Sequence, residues 1–148
     1  MEENKVIYNV EDVDFPEGIP LEQLVNQDSV SSWIEKTIET EGATLGAVSY
    51  IFCSDDYLHQ MNVEYLNHDT LTDVITFPYN DNPIEGDIFI SIDRVKDNAQ
   101  DLAVAFIDEL HRVMIHGVLH LCGYSDETDE QEAEMRRKED GYLKKLIA

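Results

Sequence analysis

Two histidines and one carboxylate are the residues of this sequence best suited to hold a metal ion. His116 and His120 lie in an otherwise apolar run, and Gly123 and Asp126 follow at intervals of three residues. On an α-helix, side chains four residues apart project from one face, about 40° from each other, so both imidazoles could reach one ion. Glycine favours the left-handed conformation that ends a helix. The chain could then turn back and bring Asp126 to the same ion.

Each of these residues also has an ordinary structural interpretation. A histidine on an apolar helix is often an interior residue whose ring nitrogens bond to a carbonyl group or to water, and Asp126 could be the N-cap of a following helix. Three further carboxylates lie close to Asp126 in the sequence: Glu127, Asp129 and Glu130. The combination of paired histidines, a glycine and an acid nevertheless favours metal binding over two interior histidines.

The spacing resembles that of the metzincin proteases, in which two histidines are followed by a glycine and a third ligand. Those enzymes carry a glutamate directly after the first histidine, and this glutamate is their general base. The corresponding residue is Gly117 here. The pattern therefore indicates a metal site without the usual proteolytic base, which makes a metalloprotease the least favoured function.

Composition limits the class of protein. With 148 residues, 43% of them hydrophobic, we expect a single domain over residues 1–148 with a substantial core. No apolar run approaches the roughly 20 residues that a membrane helix needs, and the first residues lack the pattern of a signal peptide. Two cysteines do not make a disulfide framework. These features favour a reduced, cytoplasmic protein without a membrane partner.

The sequence is strongly acidic. Its 32 aspartates and glutamates against 10 lysines and arginines give a formal net charge of −22. Such a field repels nucleic acid and anionic membranes at long range, whereas it suits solubility, attraction of cations or a basic partner protein. Most of these carboxylates are expected only to solvate the surface.

Hydrophobic periodicity predicts strands interspersed with helices. Strands are expected at 5–10, 45–52, 73–77 and 86–91. Helices are expected at 21–41, 54–65, 92–99, 102–122 and 128–145. A break near residues 28–29 could divide the first helix, and Pro78 is expected to end the third strand.

The predicted helix at 102–122 should lie in the middle of the domain. Its second half is apolar on nearly every side, a pattern typical of a buried helix. We therefore predict an α+β fold with about four strands in a mixed sheet, helices packed on that sheet, and a long central helix that carries the metal site.

Three stretches together resemble one known family. Residues 62–66 and 71–78 read N-V-E-Y-L and L-T-D-V-I-T-F-P, residues 86–90 read G-D-I-F-I, and residues 116–126 read H-G-V-L-H-L-C-G-Y-S-D. In this order they are similar to the motifs N-x-x-Y-R-x-x-x-x-P-T-[DN]-V-L-S-F-P, G-D-I-x-I and H-G-x-L-H-L-x-G-Y-D-H of the YbeY family. That family is described as endoribonucleases and ribosomal RNA maturation factors. The resemblance covers most of residues 45–145.

The resemblance implies a metal-dependent hydrolase that cleaves single-stranded RNA during ribosomal RNA maturation and ribosome assembly or quality control. It implies one zinc ion per chain, or another divalent metal, held by His116, His120 and Asp126. The implied partners are ribosomal RNA or the small ribosomal subunit, with a ribosomal protein or an assembly GTPase. Water on the metal, or a ribose 2′-hydroxyl that the metal activates, would be the reacting group. Thr72 and Asp73 match the family's cleft-side motif and are weaker catalytic candidates; Asp73 could equally cap the start of a strand.

Two positions depart from the family pattern. The third histidine of the family falls on Asp126, and the aspartate before it falls on Ser125. A carboxylate is an accepted zinc ligand, although two histidines and one carboxylate also suit iron. Leu66 stands where the family has an arginine, and leucine can neither hold a phosphate nor stabilise negative charge. Less efficient cleavage of phosphodiesters is therefore expected.

A non-catalytic assembly factor with a structural metal is the main alternative, because both Leu66 and the net charge favour it. If the chain is an enzyme, its acidic field predicts weak activity on free RNA and stronger activity within a ribosomal particle.

Overall fold

The fold is built on a mixed four-stranded sheet. A computed structural model describes residues 5–66 and 72–147, apart from the side chains of Leu66 and Ile147. The strands are β1 (Val6–Val10), β2 (Leu45–Cys53), β3 (Val74–Asp81) and β4 (Ile84–Ser91). They lie in the order β1-β2-β4-β3; β1, β2 and β4 are parallel, and β3 is antiparallel to β4. The predicted α+β class and the mixed sheet of four strands are confirmed.

Six α-helices surround this sheet in the described part of the chain. They are α1 (Leu21–Leu24), α2 (Gln27–Thr40), α3 (Asp55–Leu66), α4 (Ile92–Leu102), α5 (Phe106–Leu121) and α6 (Asp129–Ile147). None of the helices in this part carries an apolar segment long enough to cross a membrane.

The two faces of the sheet bury different clusters. Side chains alternate between the faces along a strand, so neighbours on β4 point in opposite directions. Ile88 and Ile90 belong to the large core that contains Met114 of α5. Phe89 packs instead on a smaller cluster with Leu58 of α3. Helix α5 therefore lies against the better-covered face, and the sheet supports the segment that carries the two histidines.

Glycine lets α5 approach the sheet closely. A Cβ atom at position 117 would lie only 2.7 Å from Cγ2 of Ile88. On β4, a Cβ at position 86 would lie 2.9 Å from Cδ2 of Leu121. Both distances are shorter than real Cβ contacts, so a larger residue at either position would force a neighbouring side chain or the backbone to shift. Position 117 faces the sheet and has no room for the glutamate of a metalloprotease.

The central helix is shorter than the sequence suggests. One helix is present as predicted, but its start at 102 was placed too early, because α4 continues to Leu102 and α5 begins only at Phe106. Ala103 ends α4 in the left-handed conformation with φ of 56°, and its N–H reaches the carbonyl groups of Ala99 and Gln100. A non-glycine residue seldom adopts this conformation, and neither glycine nor proline marks the break in the sequence.

Two smaller boundaries also differ from expectation. Pro78 does not end β3, which continues to Asp81. Because β3 lies at the edge of the sheet, a residue without an N–H can be accommodated there. The break between α1 and α2 falls at 25–26 rather than 28–29, since the Asn26 side chain caps α2 by accepting a hydrogen bond from the N–H of Ser29 at 3.2 Å.

Candidate metal centre

His116, His120 and Asp126 converge at the C-terminal end of α5. The two Nε2 atoms lie 2.9 Å apart. Oδ2 of Asp126 is 3.3 Å from Nε2 of His116 and 3.5 Å from Nε2 of His120. Tetrahedral zinc, with bonds of about 2.0–2.1 Å, separates its ligand atoms by roughly 3.3 Å. The three half-buried side chains thus have the spacing of ligands to one ion, and they are the one such group among residues 5–66 and 72–147.

The turn after α5 brings the acid to the histidines. Cys122 caps the helix, and Gly123 follows with φ of 105°, a conformation that favours glycine. The N–H of Gly123 bonds to the carbonyl of His120 at 3.0 Å, and the N–H of Tyr124 bonds to that of Leu119 at 3.0 Å. This is the local reversal that the glycine predicted, and it directs the chain back toward the helix before Asp126.

The hydrogen bonds of the two rings indicate what the site can hold. Nδ1 of His116 lies 2.7 Å from Oε2 of Glu139, and Nδ1 of His120 lies 3.0 Å from the carbonyl oxygen of Tyr124. Both oxygens accept hydrogen bonds, so each Nδ1 carries the proton and each neutral ring presents a lone pair at Nε2. Two lone pairs and the Asp126 carboxylate then face one another. A divalent cation fits this donor set because it would replace three mutual repulsions by three bonds.

Glu139 of α6 orients His116. It is 4% exposed, and its second oxygen accepts a hydrogen bond of 2.8 Å from Arg112, which also bonds to Asp140 at 2.7 Å. Burial alone would raise the pKa of Glu139, but the bonds from His116 and Arg112 hold that pKa below its ordinary value. Burial would likewise lower the pKa of His116, yet the bond to Glu139 raises it.

Sequence reasoning missed Glu139 because it lies on the helix after the motif. One signal was available. In the strongly charged helix α6, the buried residues recur at helical spacing as Met135, Glu139 and Tyr142. A carboxylate on the apolar stripe of a helix needs a buried partner, and this pattern could have marked Glu139 as such a residue.

His120 is supported through Glu41, the residue that ends α2. Oε1 of Glu41 accepts a hydrogen bond of 2.6 Å from the hydroxyl of Tyr124, the residue whose carbonyl group holds His120. The other oxygen accepts bonds from the hydroxyl of Tyr142 and, at 3.3 Å, from Lys138. Burial would raise the pKa of Glu41, but these three donors lower it. We call these four residues the Glu41 cluster; it ties the turn after α5, which leads to Asp126, to α2 and α6.

A cleft of about 580 Å³ opens beside the candidate ligands. Its walls include His116, Asp126 and Asp73. Asp73 accepts a long hydrogen bond of 3.4 Å from Asn98, and burial raises its pKa against the attraction of His116. Its backbone carbonyl also accepts a bond from the N–H of Ser91. The structure therefore brings Asp73 into the cleft but not among the ligands.

The other catalytic candidate of the second motif points elsewhere. The hydroxyl of Thr72 donates a hydrogen bond to the carbonyl oxygen of Val74 at 3.4 Å, at the start of β3. Leu66 is the last residue of α3, and its side chain lies outside the described residues, as do residues 67–71. The replacement of the family's arginine by leucine is therefore described from the sequence alone.

The fold and the site together define a small α+β protein whose central helix carries a candidate two-histidine, one-carboxylate metal centre. The family model described as Endoribonuclease YbeY matches residues 19–147. The chain belongs to this family.

Known relatives agree with this assignment. The chain is 52% identical to an endoribonuclease YbeY of Flavobacterium johnsoniae over 118 residues, which cover 79% of this chain and 85% of the relative. It is 48% identical to the endoribonuclease YbeY of Amoebophilus asiaticus over 97% of this chain and 94% of that one. Among solved structures, TM1509 from Thermotoga maritima superposes with a TM-score of 0.65 at 27% identity, over 95% of this chain and 88% of that chain.

Proposed function

We propose that the chain is a metal-dependent endoribonuclease that acts in ribosomal RNA maturation. The observation that carries this proposal is the convergence of His116, His120 and Asp126, with ligand atoms 2.9 to 3.5 Å apart and both Nδ1 atoms already bonded. Membership of the family supports the choice of RNA as substrate. A zinc ion held by these residues would polarise a phosphoryl oxygen and lower the pKa of a water molecule toward neutrality.

Three groups of the protein would orient the histidines and transfer a proton. Glu139 keeps the proton of His116 on Nδ1, so that Nε2 stays available as a ligand. Tyr124 does the same for His120 through its carbonyl group. Burial raises the pKa of two cleft carboxylates, Asp73 and Glu109. Because Asp73 also interacts electrostatically with His116 and Asp126, it is the group that would accept and return a proton.

One zinc ion per chain is the proposed cofactor. Two imidazoles and a carboxylate are a common zinc donor set and leave a fourth position for solvent or substrate. The same set is used for non-haem iron, which is the alternative metal. The small ribosomal subunit, reached through a basic ribosomal protein or an assembly GTPase in the cytoplasm, is the proposed setting, because a chain with a net charge of −22 needs help to approach RNA.

A second candidate function is that of a non-catalytic assembly factor with a structural metal. The cleft favours it, since six carboxylates face only two arginines there. The carboxylates are Asp73, Glu109, Asp126, Asp129, Glu132 and Glu139, and the arginines are Arg112 and Arg136. A metalloprotease has no such support, because position 117 packs on Ile88.

Metal content and cleavage, measured on the same preparations, test these functions. We expect protein purified without added metal to contain one equivalent of zinc and to cleave ribosomal RNA within small-subunit particles. Asp126→Ala should lose both properties while its circular dichroism spectrum is kept. Asp129→Ala, a cleft carboxylate outside the ligand set, is the matched control and should retain both.

Two results would contradict the proposal. Undiminished metal content in Asp126→Ala would show that Asp126 is not a metal ligand. Undiminished cleavage after chelation would exclude a catalytic metal. If chelation instead unfolds the protein and the metal-loaded protein cleaves nothing, the structural metal of the second candidate is supported.

A further inference from the structure

The cleft beside the metal centre contains one arginine that forms no ion pair with any of the described residues. Arg112 and Arg136 both line it. Arg112 is fully engaged, since it bonds to Glu139 at 2.8 Å and to Asp140 at 2.7 Å. Arg136, which is exposed on α6, forms neither an ion pair nor a side-chain hydrogen bond with any residue in 5–66 and 72–147. Its guanidinium donors therefore remain available to a ligand.

Carboxylates that could pair with Arg136 are close by in sequence. Glu132 and Asp140 each lie four residues away on α6, the spacing at which helical side chains meet. Asp140 bonds to Arg112 instead, and Glu132 lines the cleft without an ion pair to Arg136. The charge of Arg136 nevertheless acts inside the cleft, because it opposes the rise in pKa that burial and Asp73 cause at Glu109.

The cleft is large enough to hold a ligand. Its volume of about 580 Å³ falls within the range of about 300–1,000 Å³ that is usual for ligand sites. His116 and Asp126 belong to the same walls as Arg136. A ligand that contacts this arginine therefore also lies beside the candidate metal.

We propose that Arg136 binds a backbone phosphate of the RNA strand and so positions a neighbouring nucleotide at the metal centre. This inference rests on the proposed function. A guanidinium group matches two phosphate oxygens with parallel N–H donors, and it is less strongly hydrated than an ammonium group. In a cleft with six carboxylates, an anionic strand is repelled wherever no cation meets it. Arg136 supplies that cation on the α6 wall.

The neighbouring residue provides a matched control. Arg137 is also exposed on α6, but it is not among the residues that line the cleft. Arg136→Ala and Arg137→Ala therefore remove the same charge one residue apart. Any effect of the overall field on RNA binding should be nearly equal in the two variants, whereas a phosphate contact in the cleft should be lost only from Arg136→Ala.

The experiment measures binding of a single-stranded, 2′-O-methylated oligoribonucleotide to zinc-loaded protein at several salt concentrations, and electrophoresis verifies that the oligonucleotide stays intact. We expect Arg136→Ala to weaken binding roughly tenfold, as befits the loss of a charge-assisted contact. The slope of log K against log salt should become shallower by about 0.7, the value for one phosphate contact on a single strand. Arg136→Lys should restore the slope but only part of the affinity. Arg137→Ala should change binding less than about twofold, because its charge is screened by solvent.

The result that overturns the inference is an equal loss of affinity in the two alanine variants, or an unchanged salt slope in Arg136→Ala. If unmutated protein still cleaves RNA in that case, the proposed function stands without this contact. If unmutated, zinc-loaded protein neither binds nor cleaves RNA, both proposals fail. Zinc affinity and the free energy of unfolding should be the same in all variants, which excludes damage to the site.

Discussion

His116 and His120 lie one turn apart on α5, yet their second ring nitrogens are held by groups of different kinds. His116 donates to the carboxylate of Glu139 at 2.7 Å, and this carboxylate is buried and also bonded to Arg112. His120 donates to a neutral backbone carbonyl at 3.0 Å, which belongs to Tyr124 in the turn directly after the helix. One candidate ligand therefore depends on a charged partner from another helix, and the other on the local fold of its own segment.

The difference has consequences for how strongly the two candidate ligands would bind a metal. A carboxylate partner makes an imidazole more basic, which agrees with the raised pKa of His116, and a more basic ring binds a metal more tightly. A carbonyl partner fixes the ring without adding charge. Damage to the support of His116 should thus cost more metal affinity than damage to the support of His120.

Glu139→Gln should have the largest effect. The amide keeps the shape of the side chain but not its charge, and it leaves a partly buried arginine with one exposed partner. We expect zinc affinity to fall about 10- to 100-fold and the free energy of unfolding of the metal-free protein to fall by about 2 kcal/mol. Competition with a chromophoric chelator and urea unfolding measure the two quantities. Zinc affinity within twofold of the unmutated protein would show that Glu139 does not orient the ligand.

The two kinds of support also explain how far sequence reasoning could go. The convergence of His116, His120 and Asp126 follows from helical periodicity and one left-handed glycine, and both are local properties. Glu139 lies on the next helix, 23 residues after His116, and Glu41 lies 83 residues before Tyr124. Their roles depend on how α2 and α6 pack on α5, which no spacing within the motif reveals.

The fold, like the site, was predictable where it depends on local sequence and less so where it depends on packing. The four strands and the mixed sheet were predictable from hydrophobic patterns and a family resemblance. The exact position of the break between α4 and α5 was not, because Ala103 adopts a conformation that the sequence does not mark. The continuation of β3 through Pro78 depends on its place at the sheet edge, which is known only once the strand order is known.

Glu41→Gln should have an intermediate effect. It weakens the anchor of Tyr124 but leaves the carbonyl group that holds His120, so we expect zinc affinity to fall less than tenfold. Because the three donors around Glu41 lower its pKa, the stability it contributes is present above its ordinary pKa of about 4.3 and is lost as pH falls through the lower folded value. In urea unfolding, the difference between the unmutated protein and Glu41→Gln should therefore be constant above about pH 5 and shrink below about pH 4.

Tyr124→Phe serves as the control for this variant. It removes the hydroxyl that reaches Glu41 and keeps the ring and the backbone carbonyl. It should therefore reproduce the moderate loss of zinc affinity in Glu41→Gln. If Tyr124→Phe binds zinc like the unmutated protein while Glu41→Gln does not, the Glu41 cluster acts through Tyr142 or Lys138 rather than through the turn after α5.

Asp140→Asn should have the smallest effect, and it tests whether Glu139 or its arginine partner orients His116. Asp140 bonds to Arg112 at 2.7 Å, but its side chain is 50% exposed, and ion pairs in solvent contribute little. We expect the free energy of unfolding to change by less than about 0.5 kcal/mol and zinc affinity by less than about twofold. Both carboxylates hold the same guanidinium, yet only Glu139 contacts the ring. A loss of zinc affinity as large as that of Glu139→Gln would mean that the position of Arg112, and not the carboxylate on Nδ1, determines how His116 faces the metal.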